Sequence, residues 1–261
     1  MMRKTAMIYL FSDSGLAVLH DFIDSETLFA FDLDGTLAPI ADDPGAIRVS
    51  AAVQQSLAHL KELAVLAVIT GRSREDALRH LGVAPQYLVG NHGAEGLSGW
   101  EQHEADFRRL GDQWNRQLRQ SLPDRDTLGI AIENKRLSVS IHYRGAVNRT
   151  AARSVARKAV DLLTPQPRVV GGKYVLNLLP AEAPNKGTAL LQLLSLSGCR
   201  KGLFVGDDRT DEAVFQLKGD HLFTVRVGGG TGSRARYFLR SQREVPLLLR
   251  HIIAVLTQRN P

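Results

Sequence analysis

Asp32-Leu33-Asp34-Gly35-Thr36 follows directly on the apolar run Leu28 to Phe31 and carries two carboxylates spaced two residues apart. Residues at that spacing on a strand project to the same side, so Asp32 and Asp34 can enter one pocket while Gly35 permits a turn. Side by side, two carboxylates repel. A divalent cation would relieve that repulsion, and hard oxygen ligands suit magnesium, which takes one or two carboxylates together with phosphate and water. The same residues also serve as an ordinary strand-to-turn exit, and the pair alone does not separate the two readings. A second acidic string, Gly206-Asp207-Asp208-Arg209-Thr210-Asp211, follows the run Leu203 to Val205. Asp207 could complete a metal site there, with Asp208 and Asp211 as outer partners. Its plain alternative is a helix start, with Thr210 or Asp211 capping a helix that begins near Glu212.

Two further elements suit an anion. Lys186, in Asn185-Lys186-Gly187, stands at the start of a helical pattern, where a cation and free backbone N–H groups can face phosphate oxygens together. Thr70-Gly71-Arg72 supplies a hydroxyl donor, a close backbone approach and a guanidinium fork. A lone lysine at a helix start is usually solvated, and the triplet alone also passes as a loop.

These strings need a scaffold that gathers them. Leu28 to Phe31, Val65 to Ile69 and Leu203 to Val205 are short apolar runs that each end in Asp, Gly or Thr. Helical spacing of three and four fills the intervals at Val49 to Leu63, Arg74 to Leu81 and Gly187 to Leu196. Alternation of this kind predicts an α/β fold, a doubly wound, mostly parallel Rossmann-like sheet. In such a sheet the carboxyl ends of the strands face one crevice, so clusters far apart in sequence can converge.

The middle of the chain has another rhythm. A helix, two strands, a helix and two more strands are expected there. Leu128 to Glu133 and Leu137 to Tyr143 flank the polar turn Asn134-Lys135-Arg136, and Val147 to Leu163 is helical. Arg168 to Val170 and Tyr174 to Leu179 flank Gly171-Gly172. Residues 107–180 are therefore expected to form an inserted, smaller α/β cap domain, with residues 1–106 and 181–261 as the catalytic core. A cap of this kind would act as a lid that excludes water.

With 261 residues and 44% hydrophobic content, the chain can bury a core in each unit. A net charge of +6 fits an anionic ligand, and equally nucleic acid or an acidic membrane. Arg234, Arg236, Arg240 and Arg243 are the most basic stretch, but no aromatic stacking pattern accompanies them and their spacing describes a solvated helix face. Nucleic acid is not expected as a partner. No run reaches the ~20 apolar residues that span a bilayer, so no membrane is expected either. Arg3 and Lys4 before the run Ala6 to Phe11 imitate a secretory leader, yet Asp13 interrupts it and no small-residue cleavage site follows. One cysteine, Cys199, suits a reducing cytoplasm. A cytoplasmic monomer is expected. The run Gly228 to Gly232 lacks the spacing of a dinucleotide site and is read as a loop near the active site.

Taken in order, Asp32-Leu33-Asp34-Gly35-Thr36, Thr70, Lys186 and Gly206-Asp207-Asp208 resemble the four motifs of the haloacid dehalogenase superfamily of phosphotransferases. The longer strings Asp32 to Pro39, Thr70-Gly71-Arg72, Gly90-Asn91-His92-Gly93-Ala94-Glu95 and Gly206 to Glu212 are similar to the trehalose-6-phosphate phosphatase family within it. Glu133-Asn134-Lys135, His142-Tyr143-Arg144, Gly172-Lys173 and Asn185-Lys186-Gly187 extend the likeness over Leu28 to Leu239. The resemblance implies a sugar-phosphate substrate, Asp32 as nucleophile and Asp34 as general acid and base. It implies magnesium on Asp32, the backbone carbonyl of Asp34 and Asp207, with Thr70 and Lys186 on the phosphate. Gly71, Arg72, His92, Glu133, Lys135, His142 and Arg144 become candidates for contacts to the substrate. Where the family commonly has a glutamate and then a basic residue, this chain has Asn177 and Leu179, which leaves another sugar phosphate open as substrate. Sucrose phosphate and glucosylglycerate phosphate are the alternatives.

Overall fold

The computed structural model describes residues 7–41, 44–229 and 232–259. Their contacts divide the chain into two compact units, Met1–Gly93 with Asn185–Pro261, and Ala94–Pro184.

The first unit contains β1 (Ile8–Tyr9), α1 (Asp13–Phe22), β2 (Thr27–Phe31), α2 (Ala51–Leu63), β3 (Val65–Ile69), α3 (Arg74–Leu81) and β4 (Tyr87–Val89). The second holds α4 (Glu101–Ser121), β5 (Ala131–Asn134), β6 (Val139–His142), α5 (Arg149–Asp161), β7 (Arg168–Gly172) and β8 (Val175–Leu179). The chain then returns to the first unit with α6 (Lys186–Ser197), β9 (Lys201–Gly206), α7 (Glu212–Phe215), β10 (Leu222–Val227), β11 (Tyr237–Leu239) and α8 (Val245–Arg259). The division at residues 93 and 94 precedes α4, and residue 107, expected as the start of the cap, lies inside that helix.

In the first unit seven strands pair in parallel in the order β1-β11-β10-β9-β2-β3-β4. From β2 the chain winds outward through β3 to β4, and from β9 it winds the other way through β10 to β11. The order thus reverses between β2 and β9, the place where an open parallel sheet forms its ligand crevice. Strands covered on both faces read as continuous apolar runs, and every residue of β2 is buried. Phe29, Phe31, Val68, Leu203 and Val205 pack against Val53, Leu57 and Leu60 of α2 and Leu248, Leu249 and Ile252 of α8. Side chains of Ser50, Ser73 and Asn185 accept backbone N–H groups at the starts of α2, α3 and α6, which fixes where each helix leaves the sheet.

The N-terminal apolar run and the arginine stretch take the following places in the fold. Ile8 and Tyr9, inside the run that imitates a leader, form an edge strand against Tyr237 and Phe238, so this stretch is a working part of the sheet. Arg3 and Lys4 lie outside the described residues, as do Gly230 and Thr231 of the glycine-rich run. Arg234, Arg236, Arg240 and Arg243 do not share a helix face, because they flank β11. Arg236 donates to the Gly219 carbonyl at 3.1 Å, and the Arg240 guanidinium stacks 4.1 Å over the Tyr9 ring. Among the described residues no helix is long and apolar enough to cross a membrane.

The second unit is a four-stranded antiparallel sheet in the order β5-β6-β8-β7. One face is apolar: Val139, Ile141, Leu176 and Leu178 pack on Trp114 and Leu118 of α4 and Ala152, Ala156 and Val160 of α5. Side chains alternate along a strand, so Glu133, Ser140, His142 and Asn177 occupy the opposite face. The β7–β8 turn falls on Lys173-Tyr174 rather than on Gly171-Gly172, which belong to β7 and pair with Leu176 and Val175 of β8. Tyr174 takes the left-handed conformation there, with φ of 63°.

Candidate active site

Asp32 is the residue after β2, Thr70 follows β3 and Asp207 follows β9, so the three neighbouring strands end in the three expected polar clusters. The Asp32 backbone N–H donates to the Val205 carbonyl at 2.9 Å, which extends the β2–β9 pairing by one residue and anchors the carboxylate at the crevice. Its Oδ1 accepts from the Leu33 N–H at 2.7 Å. Its Oδ2 lies 2.9 Å from Lys186 Nζ.

Lys186 is the first residue of α6 and is only 2% exposed. Its ammonium also donates to Asp211 Oδ1 at 2.7 Å. Asp211 is fully buried, and its other oxygen accepts from the Asp208 N–H at 2.9 Å. The expected helix cap is therefore different in detail. Asp208 caps a short 3-10 turn over Arg209–Asp211, and Asp211 makes no side-chain cap on α7 because its carboxylate is committed to Lys186 and Asp208.

Asp32, Asp207 and Asp211 each offer a carboxylate oxygen, and these oxygens lie within 4.8 Å of one another. Asp207 Oδ1 is buried without a hydrogen-bond partner. A buried lone pair of this kind wants a cation, and three carboxylates of hard oxygen character fit magnesium. Gly35 is required by the same packing. With φ of +81°, it lets the Asp207 carboxylate lie against its backbone, where a Cβ would come within 2.2 Å of Oδ2.

Electrostatics follow from burial and like charge. Burial pushes the Asp32 carboxyl well above its ordinary range, Lys186 opposes that push, and Asp211 and Asp207 add to it. Asp207 is pushed up to about 7, first by burial and then by Asp211. Burial works against the charge on Lys186, but Asp211 and Asp32 outweigh it and hold the ammonium protonated well above its usual value. Three carboxyl groups, two of them buried, thus face one internal cation, and a further positive charge would favour their ionised form.

Asp34 does not join the cluster. Its carboxylate is 37% exposed and is gripped by Arg72, whose Nε and NH2 reach Oδ2 and Oδ1 at 2.7 Å each. The other terminal nitrogen of Arg72 donates to Asp76 Oδ2 at 2.6 Å. Burial disfavours the guanidinium charge, while Asp34 and then Asp76 raise its proton affinity further. Thr70 is fully buried, and its hydroxyl oxygen accepts the Arg72 N–H at 3.2 Å, leaving the hydroxyl hydrogen to donate. His92 sits in the left-handed region at φ of 59°, and its N–H donates to the Thr70 carbonyl at 2.9 Å. Its ring rests on Gly71, where a Cβ would come within 2.3 Å of Cε1.

In the cap unit the expected polar residues form a cluster of their own. His142 Nε2 and Glu133 Oε2 are 2.8 Å apart, and Lys135 Nζ lies 3.8 Å from the same oxygen. Arg144 stands just beyond β6, with its carbonyl accepting from Arg149 Nε at 3.2 Å. Asn177 is 4% exposed: its Oδ1 accepts from the Ser140 hydroxyl at 2.7 Å and its amide donates to the Val170 carbonyl at 3.3 Å. Leu179 is buried beside Phe107 and Leu137. Three contacts escaped sequence reasoning, the direct Lys186–Asp211 pair, the Arg72–Asp76 pair and the Arg72–Asp34 fork. The second carries a signal, since Asp76 lies four residues after Arg72 in the first turn of α3.

Comparison with known proteins adds to this geometry. The family model described as trehalose-phosphatase matches residues 30–241. A probable trehalose-phosphate phosphatase G of Arabidopsis thaliana is 29% identical over 254 residues, covering 85% of this chain and 67% of that protein. A trehalose-phosphate phosphatase of Mycobacterium avium is 32% identical over 233 residues, covering 85% of this chain and 54% of that one. The chain thus spans between about half and two thirds of the length of such relatives. Among solved structures, a trehalose-6-phosphate phosphatase related protein superposes with a TM-score of 0.71 at 26% identity, covering 89% of this chain and all of that one. The C-terminal domain of C. albicans trehalose-6-phosphate phosphatase gives a TM-score of 0.75 at 22% identity over 97% of this chain and 99% of that one, a likeness of fold.

Proposed function

The chain belongs to the trehalose-phosphatase family, and from that premise we propose that it hydrolyses trehalose 6-phosphate to trehalose and inorganic phosphate through a phosphorylated Asp32. The observation that carries the proposal is the set Asp32, Asp207 and Asp211 beside the carboxyl ends of β2 and β9, with Lys186 of α6 paired to two of them; Asp32, Asp211 and Lys186 are buried and Asp207 is half-buried.

In the proposed first step an Asp32 carboxylate oxygen attacks phosphorus in line, and the bond from phosphorus to the sugar oxygen breaks. Asp34 gives a proton to the departing oxygen. Water then attacks the acyl phosphate, Asp34 takes a proton from it, and Asp32 is released with free phosphate. Two of the three Lys186 donors are engaged by Asp32 and Asp211, and the third is assigned to a phosphate oxygen together with the Thr70 hydroxyl. Asp32, Asp207 and the backbone carbonyl of Asp34 would hold magnesium, with Asp211 beside them. When bound, the ion supplies charge neutralisation between nucleophile and phosphate.

Glu133, Lys135, His142 and Arg144 are the proposed sugar contacts, and Arg72 and His92 are further proposed contacts to the substrate. The support for the cap assignment is the Glu133–His142–Lys135 cluster, which gathers acceptors and donors on the sheet face without helices. Asn177 favours a second reading. Its amide is tied to Ser140 and Val170, so it offers a sugar less than a carboxylate would, and the same chemistry acting on another sugar phosphate is compatible with this cap. Cys199 suits a reducing cytoplasm, where the proposal places the enzyme.

Phosphate release from trehalose 6-phosphate, sucrose 6-phosphate and glucosylglycerate phosphate, each with magnesium or with EDTA, tests both readings. Preference for trehalose 6-phosphate that disappears with EDTA is expected. Comparable turnover of the three esters would refute the trehalose assignment, and undiminished turnover in EDTA would refute the metal.

A further inference from the structure

Asp34 differs from the other acids of the core in what holds it. Asp32, Asp207 and Asp211 bring their carboxylate oxygens together, two of them paired with Lys186, whereas the Asp34 carboxylate is oriented by the fork of Arg72. A fork pairing of this kind fixes the plane of both groups, so whatever fixes Arg72 fixes Asp34. The Arg72 backbone is pinned at both ends: its N–H donates to Thr70 Oγ1 at 3.2 Å, and its carbonyl accepts the Asn91 N–H at 2.7 Å. Its side chain is pinned by Asp76, through the short 2.6 Å bond from the nitrogen that Asp34 does not use.

Asp76 is itself well fixed. It lies in the first turn of α3, its N–H donates to the Ser73 hydroxyl at 3.2 Å, and its second oxygen accepts from Arg79 at 2.9 Å. His80 Nε2 lies 3.4 Å from the same oxygen. The helix N-terminus is thus coupled by two ion pairs to the carboxylate at the crevice.

We infer that Asp76 is a positioning residue: acting through Arg72, it fixes the carboxylate of Asp34 and thereby governs the proton transfers that Asp34 performs, without touching the substrate. The inference rests on the proposed reading of Asp34 as general acid and base. A merely structural Asp76, serving the helix dipole alone, would alter stability and leave the chemistry as it was.

Leaving-group dependence separates the two. When phosphorus moves to Asp32 from a sugar, the departing alkoxide needs a proton from Asp34. When it moves from 4-nitrophenyl phosphate, the ester bond breaks in the same way but nitrophenolate departs unprotonated. Rapid-quench measurement of Asp32 phosphorylation from trehalose 6-phosphate and from 4-nitrophenyl phosphate therefore reads the proton transfer directly. In Asp76→Asn, which keeps the size and removes the charge, phosphorylation from the sugar ester slows by about tenfold and that from the nitrophenyl ester changes by less than about twofold. Asp76→Glu, which keeps the charge and displaces it, shows the same ester dependence in smaller degree, and serves if the Asn variant does not fold.

Equal slowing with both esters, or slowing with neither, would overturn the positioning role. Asp34→Asn is the companion variant. If it discriminates between the esters and the Asp76 variants do not, Asp76 alone loses its role; if it fails to discriminate, the reading of Asp34 falls and the inference with it.

Discussion

Replacing Asp207 with Asn should make the metal-free protein more stable and the enzyme useless. Asp207 is half-buried beside like charges, with its Oδ1 shielded from water, and its carboxyl is pushed up to about 7. An unfolded aspartate has a pKa near 4, so over the interval from about 4 to 7 the folded chain binds a proton that the unfolded chain has released. Stability therefore falls as pH rises through that window, and above it the full cost is present. At about 1.36 kcal/mol for each pH unit, the cost of holding this carboxylate ionised in the fold is about 4 kcal/mol.

Asparagine matches the shape and carries no charge, so it fits against Gly35 and removes that cost. Urea denaturation of both proteins in EDTA, from pH 4 to pH 8, is the assay. The two curves should meet near pH 4 and diverge with rising pH, with Asp207→Asn ahead by roughly 2–4 kcal/mol at pH 8. Magnesium should stabilise the parent and leave the variant nearly unchanged, because the ion has lost a charged ligand. A variant no more stable than its parent at pH 8, or a gap that is independent of pH, would refute the reasoning. So would equal stabilisation of both proteins by magnesium.

Lys186→Met should act in the opposite sense, since it strands Asp32 and Asp211 without their cation; a loss of about 3–5 kcal/mol is expected by urea denaturation at pH 8, with turnover abolished. Glu133→Gln should raise KM for trehalose 6-phosphate by about 10- to 100-fold with little change in kcat, because hydrogen bonds to a charged acceptor contribute roughly 1.5–3 kcal/mol. Thr70→Val, which keeps the shape and removes the hydroxyl, should lower kcat/KM by about tenfold in steady-state phosphate release and, because the hydroxyl also accepts the buried Arg72 N–H, should lower stability by about 1–3 kcal/mol in urea. Gly35→Ala should cost both magnesium response and activity, since a Cβ there meets the Asp207 carboxylate at 2.2 Å; calorimetry with magnesium reads the first directly.

Much of the fold was legible because periodicity and punctuation agree. Val65 to Ile69 and Arg74 to Leu81 are β3 and α3 to the residue, the strand bounded by Thr70 and the helix by Ser73 and Gly82. The ends of β2 and β9 could be read for the same reason, as an apolar run that stops at aspartate. Edge elements were harder. β1 and β11 are two and three residues long and are defined by long-range pairing, β1 on β11 and β11 on β10, with no local pattern. At the site, residue types announced themselves in motifs, but side-chain direction did not. Asp32 and Asp34 share a spacing that predicts one pocket, yet the chain turns at Gly35, and the Asp34 carboxylate is held by the fork of Arg72 instead of joining Asp207 and Asp211 beside Asp32. Asp211 looked like a helix cap, and only the burial of Lys186 beside it shows that its charge is spent on the ammonium.

The central claim is that phosphate passes through Asp32. Acid quenching during turnover of trehalose 6-phosphate, followed by peptide mass spectrometry, should find the phosphoryl group on the peptide carrying Asp32 and none in Asp32→Asn. Phosphate on another residue, or undiminished turnover in Asp32→Asn, would contradict it.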